Sequence, residues 1–177
     1  MNQNTSDPRE AAQPRCLEMM ETSSATPEHA WLRRFAGDWQ AKVEGYMDSD
    51  TPGFVTHGEE HSRMLGDLWV LAEGRNLSFP YAYQLTLGFD PARGRYIATW
   101  TDTMLPHLWT YDGTLDPEGR ILTMDTEGPD PAEPGRRARF REVTEFRGED
   151  ERVFTSSRQG LDGRWILCMR VELRRKG

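Results

Sequence analysis

Cysteine is nearly missing from this 177-residue chain, with Cys16 and Cys168 its two thiols. One lies in a polar N-terminal stretch and the other in an alternating segment, so they give neither a metal-ligand spacing nor a disulfide framework. Long apolar runs are missing too. None approaches the ~18 residues a membrane-crossing helix needs, and residues 1–26 lack the apolar core of an export signal. Hydrophobic residues reach only 36% against 29% charged. Positive charge is in deficit: a net charge of −7 argues against a phosphate-binding surface and against attraction to anionic lipid. No Gly-x-x-x-x-Gly-Lys loop and no Gly-x-Ser-x-Gly elbow occurs. These absences leave a one-domain chain long enough to bury a core, expected in the cytoplasm and away from nucleic acid and membrane.

What is present divides at residue 26. Residues 1–25 are rich in Asn, Gln, Ser, Thr, Pro and charge and are expected to form a mobile tail. Met19 and Met20 sit where an internal start would fall. Residues 26–177 form the domain. Thr26 is an N-cap, Pro27 suits the first helical position, and Glu28 complements the helix dipole. Trp31, Leu32 and Phe35 make one apolar face, and Gly37 stops the helix.

From Trp39 onward the period is two. Strands are predicted near 38–47, 54–65, 67–77, 81–90, 94–104, 107–116, 119–127, 137–147, 151–159 and 163–175. Turn chemistry separates them at Thr51-Pro52-Gly53, Asp90-Pro91-Ala92-Arg93-Gly94, Asp116-Pro117-Glu118-Gly119 and Asp162-Gly163. About ten strands in meander order remove their exposed edges most simply by closing. The predicted fold is all-β, a single up-and-down antiparallel barrel whose short N-terminal helix closes one end.

Alternation assigns the faces. Trp165, Leu167, Met169, Val171 and Leu173 share one side, as do Tyr96, Ala98, Trp100, Asp102 and Met104. His107, Trp109, Tyr111, Gly113 and Leu115 share another, and Tyr83, Leu85, Leu87 and Phe89 a fourth. Phe54, Thr56, Gly58, Glu60, Ser62 and Met64 turn inward on the second strand. Glu73 follows Trp69 and Leu71 on a strand that is apolar on both sides. The ligand-lining candidates are therefore Glu60, Glu73, Tyr83, Trp100, Asp102, His107, Trp109 and Tyr111. Large rings fill small barrels whether or not a ligand is bound, and inward carboxylates commonly pair with arginine or water, so both readings stand beside the binding one.

His57, Glu59 and His61 alternate at a spacing that can hold zinc, yet they share the charged face with Arg63, and a solvated strand accounts for them. Arg137, Arg139 and Arg141, followed by Glu142 and Glu145, read as a solvated strand that discourages edge pairing. Neither a metal nor a cofactor is expected.

Several motifs together resemble a largely bacterial family of unknown function, number fifteen seventy-nine. They are His29-Ala30-Trp31-Leu32, Phe35-Ala36-Gly37-Asp38-Trp39, Leu65-Gly66-Asp67-Leu68-Trp69, Ala72-Glu73-Gly74 and Leu87-Gly88-Phe89-Asp90-Pro91. Thr99-Trp100, Gly113-x-Leu115-Asp116-x-x-Gly119-x-x-Leu122-Thr123 and Arg174-Arg175-Lys176 complete the set, which covers roughly residues 28–176. The resemblance implies a calycin-like barrel, similar in outline to lipocalins, fatty-acid-binding proteins and nitrobindins, and no assigned activity. The Gly-x-Trp of Gly37 and Trp39 stands where calycins place theirs. Trp39 is then expected at the barrel base under an arginine of the last strand, Arg175 rather than Arg174, because Arg175 shares the parity of Leu173. Nitrobindin-like barrels ligate haem through a late histidine, and this chain has none after His107.

Two functions follow. The first is a binding module holding a small, largely apolar molecule in the lumen, with self-association into a homodimer allowed. The second is an enzyme that uses Glu60 or Glu73 with Asp102 and His107 as acid and base. The lack of a nucleophile or metal constellation favours the first.

Overall fold

The computed structural model describes residues 25–46 and 51–177. The expected tail, with Cys16, Met19 and Met20, lies outside the described residues apart from its last position. Helix α1 (Pro27–Leu32) starts where Thr26, in extended conformation, precedes a proline at the first helical position. The backbone N–H of Thr26 donates to Nδ1 of His29 at 3.0 Å, occupying a donor that a helix start otherwise leaves open. One 3-10 turn, Arg33–Phe35, follows before the chain goes extended. None of the described helices is long and apolar enough to cross a membrane.

Ten strands come next: β1 (Gly37–Tyr46), β2 (Pro52–Leu65), β3 (Trp69–Asn76), β4 (Ala82–Asp90), β5 (Arg95–Asp102), β6 (Trp109–Leu115), β7 (Ile121–Pro129), β8 (Arg137–Phe146), β9 (Glu151–Gln159) and β10 (Trp165–Arg175). Each pairs antiparallel with its sequence neighbours, and β1 pairs with β10 as well as β2, which closes the barrel. Closure leaves the described sheet without a free edge. Asp90 and Asp116 shape their turns by accepting backbone N–H groups, from Ala92 at 2.9 Å and from Arg120 at 2.6 Å. Pro52 and Gly53, expected in a turn, already belong to β2, and Pro52 lies opposite Tyr46.

The helix end forms the base. Leu32 and Phe35 pack with Val70, Leu87, Tyr96, Leu122 and Phe146 into one buried cluster. Trp31 meets Phe35, Tyr96 and Phe146 edge-on at 5.4–5.6 Å. A helix this short has no stability alone; burying its apolar face over the barrel end holds it. Gly37 enters β1 at φ +134°, and a Cβ there would overlap the Arg175 guanidinium. Gly37→Ala is expected to cost about 1–3 kcal/mol, read as a lower urea midpoint.

The inward face differs from the alternation reading in several places. A bulge between Leu167 and Met169 shifts the register of β10 against β9 by one residue. One such shift inverts parity, so Trp165 and Leu167 point outward while Ile166 sits opposite the buried Arg158. Trp165 accordingly carries Arg141 over its ring at 4.6 Å on the outer surface. Second, Glu142 keeps the parity of the buried Ala138, Phe140, Thr144 and Phe146 and faces inward, leaving the charged outer run. Third, Met104 falls beyond the end of β5 and is 70% exposed.

Candidate functional site

The lumen has a closed polar floor. Glu60 on β2 and Arg152 on β9 are both buried and form an ion pair through Oε1 of Glu60, which also accepts from the Ser62 hydroxyl. Oε2 accepts from the Tyr83 hydroxyl at 2.7 Å. The Arg152 guanidinium lies over Trp39 at 4.7 Å and over Phe35 at 5.0 Å. Trp39 is fully buried, its indole N–H donating to the Phe35 carbonyl at 2.9 Å. Arg175 also lies over the Trp39 ring, at 4.3 Å, and donates to the Ala36 carbonyl at 2.5 Å. Arg174 points away on the exposed face. Arg152 completes this arrangement and was not singled out in the sequence; alternation from Ser156 would have placed it inward.

Above the floor the walls are aromatic. Tyr83 stacks on Trp100 at 4.0 Å, and Trp109 meets Phe140 edge-on at 5.1 Å. Glycines on adjacent strands make room for these rings: Gly74 lies against Tyr83, Gly128 against Trp109, and Gly113 against Met124. Met124 thus takes up the space beside Gly113. Other inward side chains remain only half-buried, among them Val43, Trp100, Tyr111, Glu142, Phe154 and Val171. Their strand neighbours on the same face, such as Thr56, Ala98 and Thr144, are buried. Accessible surface on inward side chains belongs to the lumen.

Glu142 is the chemically distinct group there. Its Oε1 accepts from the Ser156 hydroxyl at 3.0 Å, while Oε2 is buried without a hydrogen bond. Burial pushes its carboxyl up to about 8, with the Ser156 hydroxyl pulling the other way. Burial also raises the phenols of Tyr81, Tyr83 and Tyr111 well above the usual range; Glu60 adds to the effect on Tyr83, and Glu142 and Asp102 to that on the other two.

The remaining candidates serve elsewhere. Asp102 faces inward, but its Oδ1 accepts the backbone N–H groups of Met104 at 2.7 Å and Leu105 at 3.0 Å, and its Oδ2 accepts from Trp100 at 3.3 Å. It shapes the β5–β6 turn. His107 is half-buried beside Trp109, with ring centroids 4.7 Å apart. Glu73 is exposed and leaves the lumen set, because the inward residues of β3 are Val70, Ala72 and Gly74. It lines an open cleft of about 640 Å³ together with Glu59, His61, Arg75 and Lys176, and Glu60, Tyr83 and Asp102 contribute to the same lining. Polar groups in that cleft pair with one another, Lys176 with Glu59 at 2.7 Å and His61 with Asp38 at 2.8 Å.

Among the described residues, exposed apolar side chains gather at the end opposite the helix. Phe54, Leu77, Phe79, Met104, Leu105 and Leu161 are exposed there, Leu161 by 84%. On the base end the large exposed hydrophobic is Leu65, so the mouth is set apart by its surface chemistry.

A family model described as "Protein of unknown function (DUF1579)" matches residues 24–175. The chain belongs to the DUF1579 family. No curated protein matches it. Among solved structures, Rv2717c from M. tuberculosis aligns with a TM-score of 0.60 at 12% identity, covering 87% of this chain and 100% of that one. At that identity the likeness concerns fold alone, and it agrees with the closed barrel. A redesigned β-barrel aligns with a TM-score of 0.38 at 14% identity, over 87% of this chain and 100% of its own, and carries no argument.

Proposed function

We propose that this DUF1579 barrel is a cytoplasmic binding module that takes a small, largely apolar molecule into the upper lumen through the apolar mouth. The carrying observation is the contrast along the barrel axis. Leu32, Phe35 and the Glu60–Arg152 pair close the base, whereas Trp100, Tyr111, Val43 and Val171 keep accessible inward surface. A concave, aromatic-lined space with few polar groups suits such a ligand. The enzyme reading loses support from the same geometry. Glu60 is held by Arg152, Asp102 caps a turn and Glu73 is outside, so the carboxyls that the sequence offers as acid and base do not converge on one point.

Indole fluorescence tests the proposal. Anilinonaphthalene dyes, fatty acids, aromatic acids and neutral aromatic alcohols are titrated into wild type and Trp100→Ala. At least one probe is expected to saturate, with Trp100→Ala weakening it about tenfold while the urea midpoint moves little. Saturation by none of these classes, or equal uptake by Trp100→Ala, would defeat it.

A further inference from the structure

Every element around Glu142 contributes to its setting. Met124 of β7 lies opposite it and is apolar. Ser156 of β9 donates to it, and Arg158, two residues on, is buried with a contact of its own. The aromatic wall of Trp100, Trp109 and Tyr111 stands on β5 and β6. Tyr81, ahead of β4, and Asp102 at the end of β5 are the other titratable groups acting in this part of the lumen, the second carboxyl among them being Asp102. No basic side chain contributes to the shifts of Glu142, Tyr81 or Tyr111. The space therefore holds an unpartnered carboxyl oxygen, a second carboxyl nearby and aromatic rings, and among the described residues no basic side chain shifts Glu142.

We propose that the lumen ligand is a small organic cation, an apolar body bearing one protonated amine that donates a hydrogen bond to Oε2 of Glu142. The inference rests on the lumen-binding reading and narrows it. An ammonium satisfies the orphaned oxygen by a charge-assisted hydrogen bond and gains from aromatic faces beside it. A ligand carboxylate would meet like charge from Asp102, and from Glu142 once that group ionises. The net charge of −7 also draws cations toward the barrel over anions. Because burial keeps Glu142 mostly protonated at neutral pH, binding releases that proton to solvent while the amine keeps its own.

Calorimetric titration of the full chain with 2-phenylethylamine, 2-phenylethanol and 3-phenylpropanoate separates the outcomes. At pH 9 the amine is expected to bind about tenfold or more tighter than the alcohol. Its affinity should rise about tenfold from pH 7 to pH 9 as Glu142 ionises near 8, with heats that depend on the buffer's own ionisation enthalpy. Tyr81 and Tyr111, raised well above that window, do not titrate in it. Glu142→Gln, which is isosteric, should abolish the amine's advantage and leave alcohol binding within about twofold. Equal binding of amine and alcohol by wild type, or an amine preference surviving in Glu142→Gln, would overturn the cation assignment and leave the lumen reading standing. So would alcohol affinity that falls with pH, which marks Glu142 as a neutral donor. Failure of all three probes to bind would overturn the cation assignment, and the lumen reading falls with it where the dyes and fatty acids fail as well. The wild-type comparison stands even if the variant does not fold.

Discussion

Arg152→Ala is expected to destabilise the barrel by about 3–5 kcal/mol, because it strips a buried carboxylate of its cation. Glu60 and Arg152 side chains are 6% and 5% exposed, so water cannot replace the lost partner. The same change removes the guanidinium stacked between Trp39 and Phe35, leaving a void beside the fully buried indole. In a domain of this size the thermal midpoint should fall by roughly 6–20 °C. Replacing both partners, Glu60→Leu with Arg152→Leu, should recover most of that loss, since the cost of a broken buried pair lies in the unpaired charge. Urea unfolding of the two single variants and the double variant gives the coupling directly. An Arg152→Ala protein within about 1 kcal/mol of wild type would show that the pair does not hold the floor.

Wild type should lose stability as pH rises from about 5 to 9, and Glu142→Gln should not. The unfolded carboxyl titrates near 4.5, the folded one near 8. Below both values each state is protonated and the group contributes no difference. Between them the unfolded chain releases its proton while the native state keeps it, so stability falls with increasing pH. Above 8 the native state must hold a buried carboxylate, and the loss levels off on the order of 4 kcal/mol. Glutamine fills the same space, can accept from the Ser156 hydroxyl and never ionises. The variant should therefore match wild type near pH 5 and exceed it by several kcal/mol near pH 9. Urea midpoints at pH 5, 7 and 9 test this, and parallel pH profiles for the two proteins would refute it.

The barrel itself was legible in the residues. Ten alternating segments punctuated by Asp, Pro and Gly turns can hydrogen-bond all their strands only by closing, and the observed neighbours follow sequence order. The Trp39–Arg175 contact was legible for a related reason. Parity carries along a regular strand, and Arg175 lies opposite Trp39 in the observed register. Glu142 could have been found the same way, since it shares the parity of Phe140, but the arginines ahead of it and Glu145 beyond it drew it into a solvated run.

Alternation settles a strand's faces while its register is unbroken and one face is polar. On β3 both faces are apolar, so Glu73 could be assigned to either side, and only pairing with Leu85 and Tyr83 on β4 settled which residues line the lumen. On β10 the bulge inverted the first residues, and no residue type announces an inserted position; it is fixed by what β9 offers opposite. Polar partners were least legible of all. Glu60 and Arg152 are 92 residues apart and meet because closing ten strands brings β2 and β9 to one floor. Glu142 is left unpaired by the same closure, which surrounds it with Met124, Ser156 and aromatic rings. Local spacing determines strand, turn and face, whereas which charges find partners inside depends on the whole circuit of the barrel.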